Sequence, residues 1–234
     1  MNVRASVKSK TAANGRLVGV VASLTTLARA ARLRQPPDFF ELRLDALRDS
    51  LGEVARAIPD LPAPLILTAR HPREGGLGGL AIGARRALLF RFLEYAAAVD
   101  LELRSVRQLQ GVMDEIRRRQ IDLIISHHDL RDTPAPAQLR RLTNAAAADR
   151  PAIFKIATRT DTPAQLDRLV SFFRETNCRP TPIAAMGMGK LGLVSRRQLD
   201  RLGSALTYVS LGEPNAEGQP TLSQLRRARR AYIR

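Results

Sequence analysis

The chain has 234 residues, enough for one large α/β barrel or two small domains, and its 44% hydrophobic content argues against disorder. A net charge of +16 raises nucleic acid as a partner, but the arginines are spread over nearly every helical segment, and three Tyr with no Trp supply no platform for stacked bases. No apolar stretch approaches the roughly 20 residues of a membrane span, no signal-peptide pattern follows the first basic residues, and the single cysteine, Cys178, has no disulfide partner, so a cytoplasmic location is expected.

Residues 1–16 read as a basic, flexible N-terminal extension carrying Arg4, Lys8, Lys10 and Arg16. From there the chain alternates. Apolar strand patterns at 17–24, 38–43, 64–69, 99–103, 121–126, 151–157, 181–186 and 205–210 are each followed by a helical one, at 24–33, 44–57, 80–98, 106–119, 136–147, 162–176, 195–202 and 221–233. Eight such units predict that 17–234 form a single α/β domain, a (β/α)8 TIM barrel, a fold of typically about 250 residues. An open doubly wound sheet would want a Gly-x-Gly-x-x-Gly turn after its first strand, and none is present.

Barrel enzymes carry their chemistry at the C-terminal ends of the strands, and the polar residues collect there. Glu41 and Arg43 close the second strand, Arg70 follows the third, Glu102 closes the fourth, and Ser126-His127-His128-Asp129 follows the fifth. Lys155 lies in the apolar run Pro-Ala-Ile-Phe-Lys-Ile-Ala-Thr at 151–158, one of four lysines against 34 arginines. Burial disfavours an ammonium and can lower a lysine pKa by about 3–5 units, which makes the amine a nucleophile of the Schiff-base kind; the alternative is a strand-end lysine that snorkels to water. All three histidines, His71, His127 and His128, fall just past strands at this rim, and the Ser126-x-His128 alternation turns His128 inward. A neutral imidazole there suits removal and return of a proton beside an iminium carbon.

The segments Phe-Glu-Leu-Arg-Leu-Asp (40–45), Leu-Thr-Ala-Arg-His-Pro-Arg-Glu-Gly-Gly (67–76), Asp-Leu-Glu-Leu (100–103), Ser-His-His-Asp-Leu (126–130), Phe-Lys-Ile-Ala (154–157), Met-Gly-Met-Gly-Lys-Leu-Gly-Leu-Val-Ser-Arg (186–196) and Gly-Gln (218–219) occur in this order along the chain. In that order they resemble the motifs of type I 3-dehydroquinate dehydratase, a Schiff-base enzyme of the shikimate pathway. The resemblance implies a hydro-lyase in which Lys155 forms the imine, His128 is the general acid/base and Glu74 orients it. It further implies that Arg196 grips the substrate carboxylate, that Glu41, Arg43, Arg70 and Gln219 order the pocket, and that Ser23, Met186, Met188 and Tyr208 line it. Asn215 stands where the family has Ser, and Glu217 where it has Pro; Glu217 is expected to loosen the last loop and set a negative charge near an anionic substrate.

The implied partner is a small-molecule carboxylate, 3-dehydroquinate, with a homodimer left open, no membrane and no nucleic acid. Neither cofactor nor metal is called for. Two other readings stay open. A different Schiff-base barrel enzyme of the aldolase type would use the Gly-rich turn 187–192 as a phosphate cradle, and a non-catalytic basic relative would bind nucleic acid.

Overall fold

In the computed structural model, which describes residues 6–7, 15–177 and 180–232, all eight expected strands form. They are β1 (Arg16–Val21), β2 (Phe39–Arg43), β3 (Leu65–Thr68), β4 (Ala96–Glu102), β5 (Asp122–Asp129), β6 (Ile153–Arg159), β7 (Ile183–Met188) and β8 (Leu206–Ser210). Between and after them run α1 (Leu24–Ala31), α2 (Leu51–Ala57), α3 (Ile82–Phe92), α4 (Gln110–Arg118), α5 (Pro136–Ala147), α6 (Pro163–Thr176), α7 (Gly192–Arg201) and α8 (Leu222–Tyr232). Every ladder is parallel, and the sheet order is β7-β6-β5-β4-β3-β2-β1-β8. The remaining seam closes largely through a side chain: Ala205 N–H donates to Ile183 O at 2.9 Å, and the Ser204 hydroxyl bridges both the N–H and the carbonyl of Ala185 at 3.0 and 3.2 Å. The result is the expected (β/α)8 barrel.

The period-2 alternation of the strands sorts their residues into two cores. Outward-facing Phe40, Leu42, Leu67, Val99, Ile125 and Ile156 pack against the helices in one cluster. The lumen holds a second cluster, with one apolar floor residue per strand: Val18, Phe39, Ile66, Ala98, Ile124, Ile153, Ala184 and Leu206. Two residues further along each strand the next layer is Val20, Glu41, Thr68, Asp100, Ser126, Lys155, Met186 and Tyr208, all buried. Five of these eight are polar non-aromatic groups. Burying them costs several kcal/mol each unless they are hydrogen-bonded or paired, so the layer has to be a connected network, and it is. Beneath the floor, Val7 joins the lumen cluster while Ser6 Oγ and Val7 N–H both donate to Asp122, at 2.6 and 2.7 Å.

Several boundaries differ from the sequence reading: the helix expected from residue 44 begins only at Leu51, after a 3-10 turn at Arg48–Ser50, and two further differences bear on β4 and β5. The helical pattern expected to run to Ala98 stops at Phe92, because Ala96-Ala97-Ala98 is drawn into β4 between β3 and β5, where ladder pairing overrides the helix propensity of alanine. Likewise β5 continues through Asp129, since His128 and Asp129 pair with Ala157 and Thr158 of β6. His127 and His128 therefore sit on a strand and not in a loop. Cys178 and most of the segment 1–16, Lys8 and Lys10 included, lie outside the described residues. Among the described residues no helix is long and apolar enough to cross a membrane.

Candidate active site

Lys155 is 3% exposed at the centre of the polar layer. Its Nζ donates to Asp100 Oδ2 at 2.9 Å and to Glu41 Oε1 at 3.3 Å, and it lies 3.9 Å from the centroid of the Tyr208 ring. Asp100 in turn takes both arms of Arg70, at 3.1 and 3.0 Å, and the Ser126 hydroxyl at 2.5 Å. Burial pushes the Asp100 carboxyl up, but the Arg70 guanidinium and the Lys155 ammonium outweigh it and hold the group well below the usual carboxylate range. For Arg70 burial works against the charge, and Asp100, Glu102 and Glu41 together more than reverse it. Asp100 is thus a fixed anion that positions two cations. Thr68 Oγ1 also donates to Glu41 Oε1 at 3.0 Å, and Arg70 Nη2 lies 3.7 Å from the same oxygen.

A second unit sits at the mouth. Residues 72–74 form one 3-10 turn that folds Glu74 back over β5, and the turn closes only because Gly76 has no side chain: a Cβ there would lie 2.1 Å from Arg70 O. Glu74 Oε2 accepts the backbone N–H of His128 at 2.9 Å and sits 3.0 Å from its Nδ1. Burial, then the neighbouring Glu102 charge, raises the Glu74 carboxyl to about 7. His128 is pushed the other way: burial first, then Arg70 and Lys155, put its pKa well below the ordinary histidine value, so the ring is neutral. With Nδ1–H directed at Glu74, Nε2 is left as the free base. Arg43 braces the turn, donating to Gly75 O at 3.1 Å while its other contacts are bidentate to Asp45 at 2.9 and 2.8 Å.

Arg196 is 4% exposed and, among the described residues, donates only to neutral groups: Gly187 O at 3.1 Å, Tyr208 O at 3.2 Å and Met186 Sδ at 3.5 Å. Burial lowers its pKa to about 10. A buried guanidinium without a carboxylate leaves a charge to be matched by whatever enters the cavity. The last loop covers it. Asn215 N–H donates to Gln219 Oε1 at 2.8 Å, which ties the two ends of the loop together.

Lys155, His128, Glu74, Glu41, Arg43, Arg70, Met186, Met188, Arg196, Tyr208, Asn215 and Gln219 all line one cavity of about 140 Å³. Two sequence expectations end differently. Ser23 caps α1, accepting Thr26 N–H at 3.1 Å, and stands exposed outside the lining, because a capping hydroxyl is already committed to the helix end. Glu217 does not face the cavity either: its carboxylate reaches Arg159 at 3.1 Å on the outer side of the loop. The sequence reading missed Asp100 and Asp45. Both stand inside motifs it singled out, and Asp100 shares a strand face with Glu102, a pairing that could have flagged it. The turn 187–192 makes no phosphate cradle, since Gly187, Gly189, Lys190, Leu191 and Gly192 all spend their N–H groups on Ser195, Glu217, Asp161, Thr160 and Gly189. Among the described residues no cluster of three or more His, Cys, Asp and Glu could hold a metal ion.

A (β/α)8 barrel with a buried lysine, a glutamate-paired histidine and an unmatched arginine around one small cavity defines an enzyme acting on a small anion. Comparison with known proteins narrows the class. The profile of the type I 3-dehydroquinase family matches residues 20–232, and the chain belongs to that family. It is 31% identical over 209 residues to a 3-dehydroquinate dehydratase of Dehalococcoides mccartyi, covering 86% of this chain and 90% of that protein. To the 3-dehydroquinate dehydratase of Methanothermobacter thermautotrophicus it is 33% identical over 188 residues, 78% of this chain and 79% of the other. Among solved structures, 3-dehydroquinate dehydratase from Geobacillus kaustophilus superposes with a TM-score of 0.83 at 24% identity, covering 94% of this chain and 93% of that one.

Proposed function

We propose that this lyase dehydrates 3-dehydroquinate to 3-dehydroshikimate through an imine on Lys155, with His128 moving the proton. The observation that carries the reading is the shared cavity: Lys155, His128 and an Arg196 with no carboxylate partner all face one space of about 140 Å³. Arg196 takes the substrate carboxylate through its guanidinium fork, and Asn215 and Gln219 close over the ring hydroxyls. The Lys155 ammonium first gives a proton to water, the freed amine adds to the C3 carbonyl, and a proton returns as the resulting hydroxyl leaves as water to give the iminium. His128 Nε2 then removes a proton from C2, the electron pair moving into the iminium to form an enamine. As that pair returns, the C1–O bond breaks and the hydroxyl leaves as water with the proton from His128. Water adds to the remaining iminium and frees the product and Lys155. The imine is itself the electron sink, so the route calls on no metal or cofactor.

The aldolase reading loses its support in the committed amides of the 187–192 turn. Borohydride trapping tests the proposal. Incubation with 3-dehydroquinate and borohydride should leave one reduced adduct per chain, on the peptide that holds Lys155. A label on exposed Lys190, or none, overturns it.

A further inference from the structure

Many surface arginines are paired: Arg117, Arg118 and Arg119 with Asp114 and Glu115 of their own helix, Arg140 with Glu175, Arg168 with Asp132. Others, Arg86 and Arg107 among them, have no ion pair among the described residues but stand apart, whereas one cleft gathers five such groups. It lies between α1 and α8, has a volume of about 680 Å³, and is lined by Arg29, Arg34, Arg226, Arg227 and Arg230 against a single carboxylate, Glu213. Among the described residues no ion pair reaches any of the five arginines. Two of them are fixed in place without being neutralised: Arg29 Nη1 donates to Leu211 O at 2.6 Å, and Arg226 donates to Gln35 O at 2.9 Å and Pro36 O at 2.8 Å.

The local sequence explains the clustering. Ser223, Arg226, Arg227 and Arg230 are spaced i, i+3, i+4 and i+7, which places them on one face of α8, while Leu225 turns to the core. The first turn of that helix opens into the same cleft and adds its positive end to the field. Like charges gathered on a concave surface raise the local potential and oppose folding until an anion joins them. Leu33, Leu211 and Leu222 supply an apolar wall beside the charges. The volume falls within the roughly 300–1,000 Å³ of small-molecule sites, and none of its lining residues belongs to the cavity around Lys155.

We propose that the cleft between α1 and α8 binds a phosphorylated small molecule. The guanidinium forks of Arg226, Arg227 and Arg230 hold its phosphate groups, a geometry arginine suits better than lysine, and its organic body lies against Leu33, Leu211 and Leu222. The back wall, Ser210 to Glu213, is the root of the loop that delivers Asn215 and Gln219 to the active cavity, so this ligand and the substrate contact opposite ends of one segment.

Calorimetric titration of the full chain with ATP, without added metal, tests the site and reads no turnover, so its outcome is independent of the imine reading. Saturable binding of one ATP per chain is expected. Arg227→Glu/Arg230→Glu should weaken it by at least about 10-fold, the loss of one charge-assisted contact. Arg86→Glu/Arg107→Glu, which removes the same net charge at exposed positions outside the cleft, should change it less than about 2-fold, as should Arg196→Ala in the active cavity. Equal losses in the two surface variants, a loss confined to Arg196→Ala, or no saturable binding would overturn the proposal.

Discussion

Glu74 Oε2 makes two contacts with His128, accepting its backbone N–H at 2.9 Å and facing its Nδ1 at 3.0 Å. One carboxylate oxygen therefore fixes both the position and the tautomer of the imidazole. The arrangement ties the base to a group that itself titrates near neutrality, since burial and Glu102 raise the Glu74 carboxyl to about 7. The Arg70 charge, the His128 N–H and Arg104, whose Nε lies 3.1 Å from the other oxygen, only partly offset this.

The first prediction follows for rate. Turnover should rise with pH through about 7 as Glu74 ionises and directs Nδ1–H towards itself. In Glu74→Gln that limb should vanish and kcat should fall by roughly 10–100-fold, a positioning loss smaller than that of the base itself. A kcat–pH profile of parent and variant checks it; an unchanged limb in the variant would assign the titration to another group.

The same shift makes a stability prediction. Between the ordinary glutamate pKa of 4.5 and about 7 the folded chain keeps a proton that the unfolded chain has released, so stability is full below that window and is lost as pH rises across it. Melting temperatures of the parent, corrected for the rest of the profile by comparison with Glu74→Gln, should diverge in that sense from pH 5 to pH 7. Divergence in the opposite sense would mean that the folded carboxyl is depressed.

Strand alternation separates the two adjacent histidines of β5. His128→Ala should lower kcat by at least about 10²-fold, as expected for loss of a general acid/base, while borohydride trapping on Lys155 persists. His127→Ala should stay within a few fold, because His127 is not part of the cavity lining. The reverse ranking in steady-state assays would mean that the wrong imidazole has been assigned.

Asp100 is shared by Arg70, Lys155 and Ser126. Asp100→Asn keeps the shape and removes the anion, leaving two buried cations short of a partner. Breaking a buried network in this way costs about 3–5 kcal/mol, and urea unfolding should report a loss of that order together with a large fall in kcat. A loss below about 1 kcal/mol would show that Glu41 and Glu102 suffice.

On the outer face of the last loop, the Glu217–Arg159 contact is partly exposed on both sides, with 54% and 33% of the side chains accessible. An ion pair of this kind is worth at most about 1 kcal/mol. Glu217→Ala should accordingly raise KM for 3-dehydroquinate by no more than about 5-fold, less at high salt, and leave kcat unchanged. A lowered KM would restore the expectation from sequence that this carboxylate repels the substrate.

The sequence by itself determined the eight-fold alternation, the lysine and the histidine, because the 2-residue and 3.6-residue periods of buried apolar side chains are written locally and because Lys155 is conspicuous inside an apolar run. The same period carried Glu41, Arg43 and His128 to the inner face. Local pattern failed where pairing with a distant strand decided the outcome: Ala96-Ala97-Ala98 looks helical until β3 and β5 flank it, and His127-His128 looks like a loop until β6 extends beside it. Tertiary structure alone decided that Asp100 joins Lys155 to Arg70 across 55 and 30 residues of chain, that Glu217 turns to Arg159, and that Arg29 and Arg34 meet the arginine face of α8 in one cleft. Each depends on where barrel closure brings remote strand ends and helix faces, and contacts between residues so far apart in the chain leave no periodicity to read.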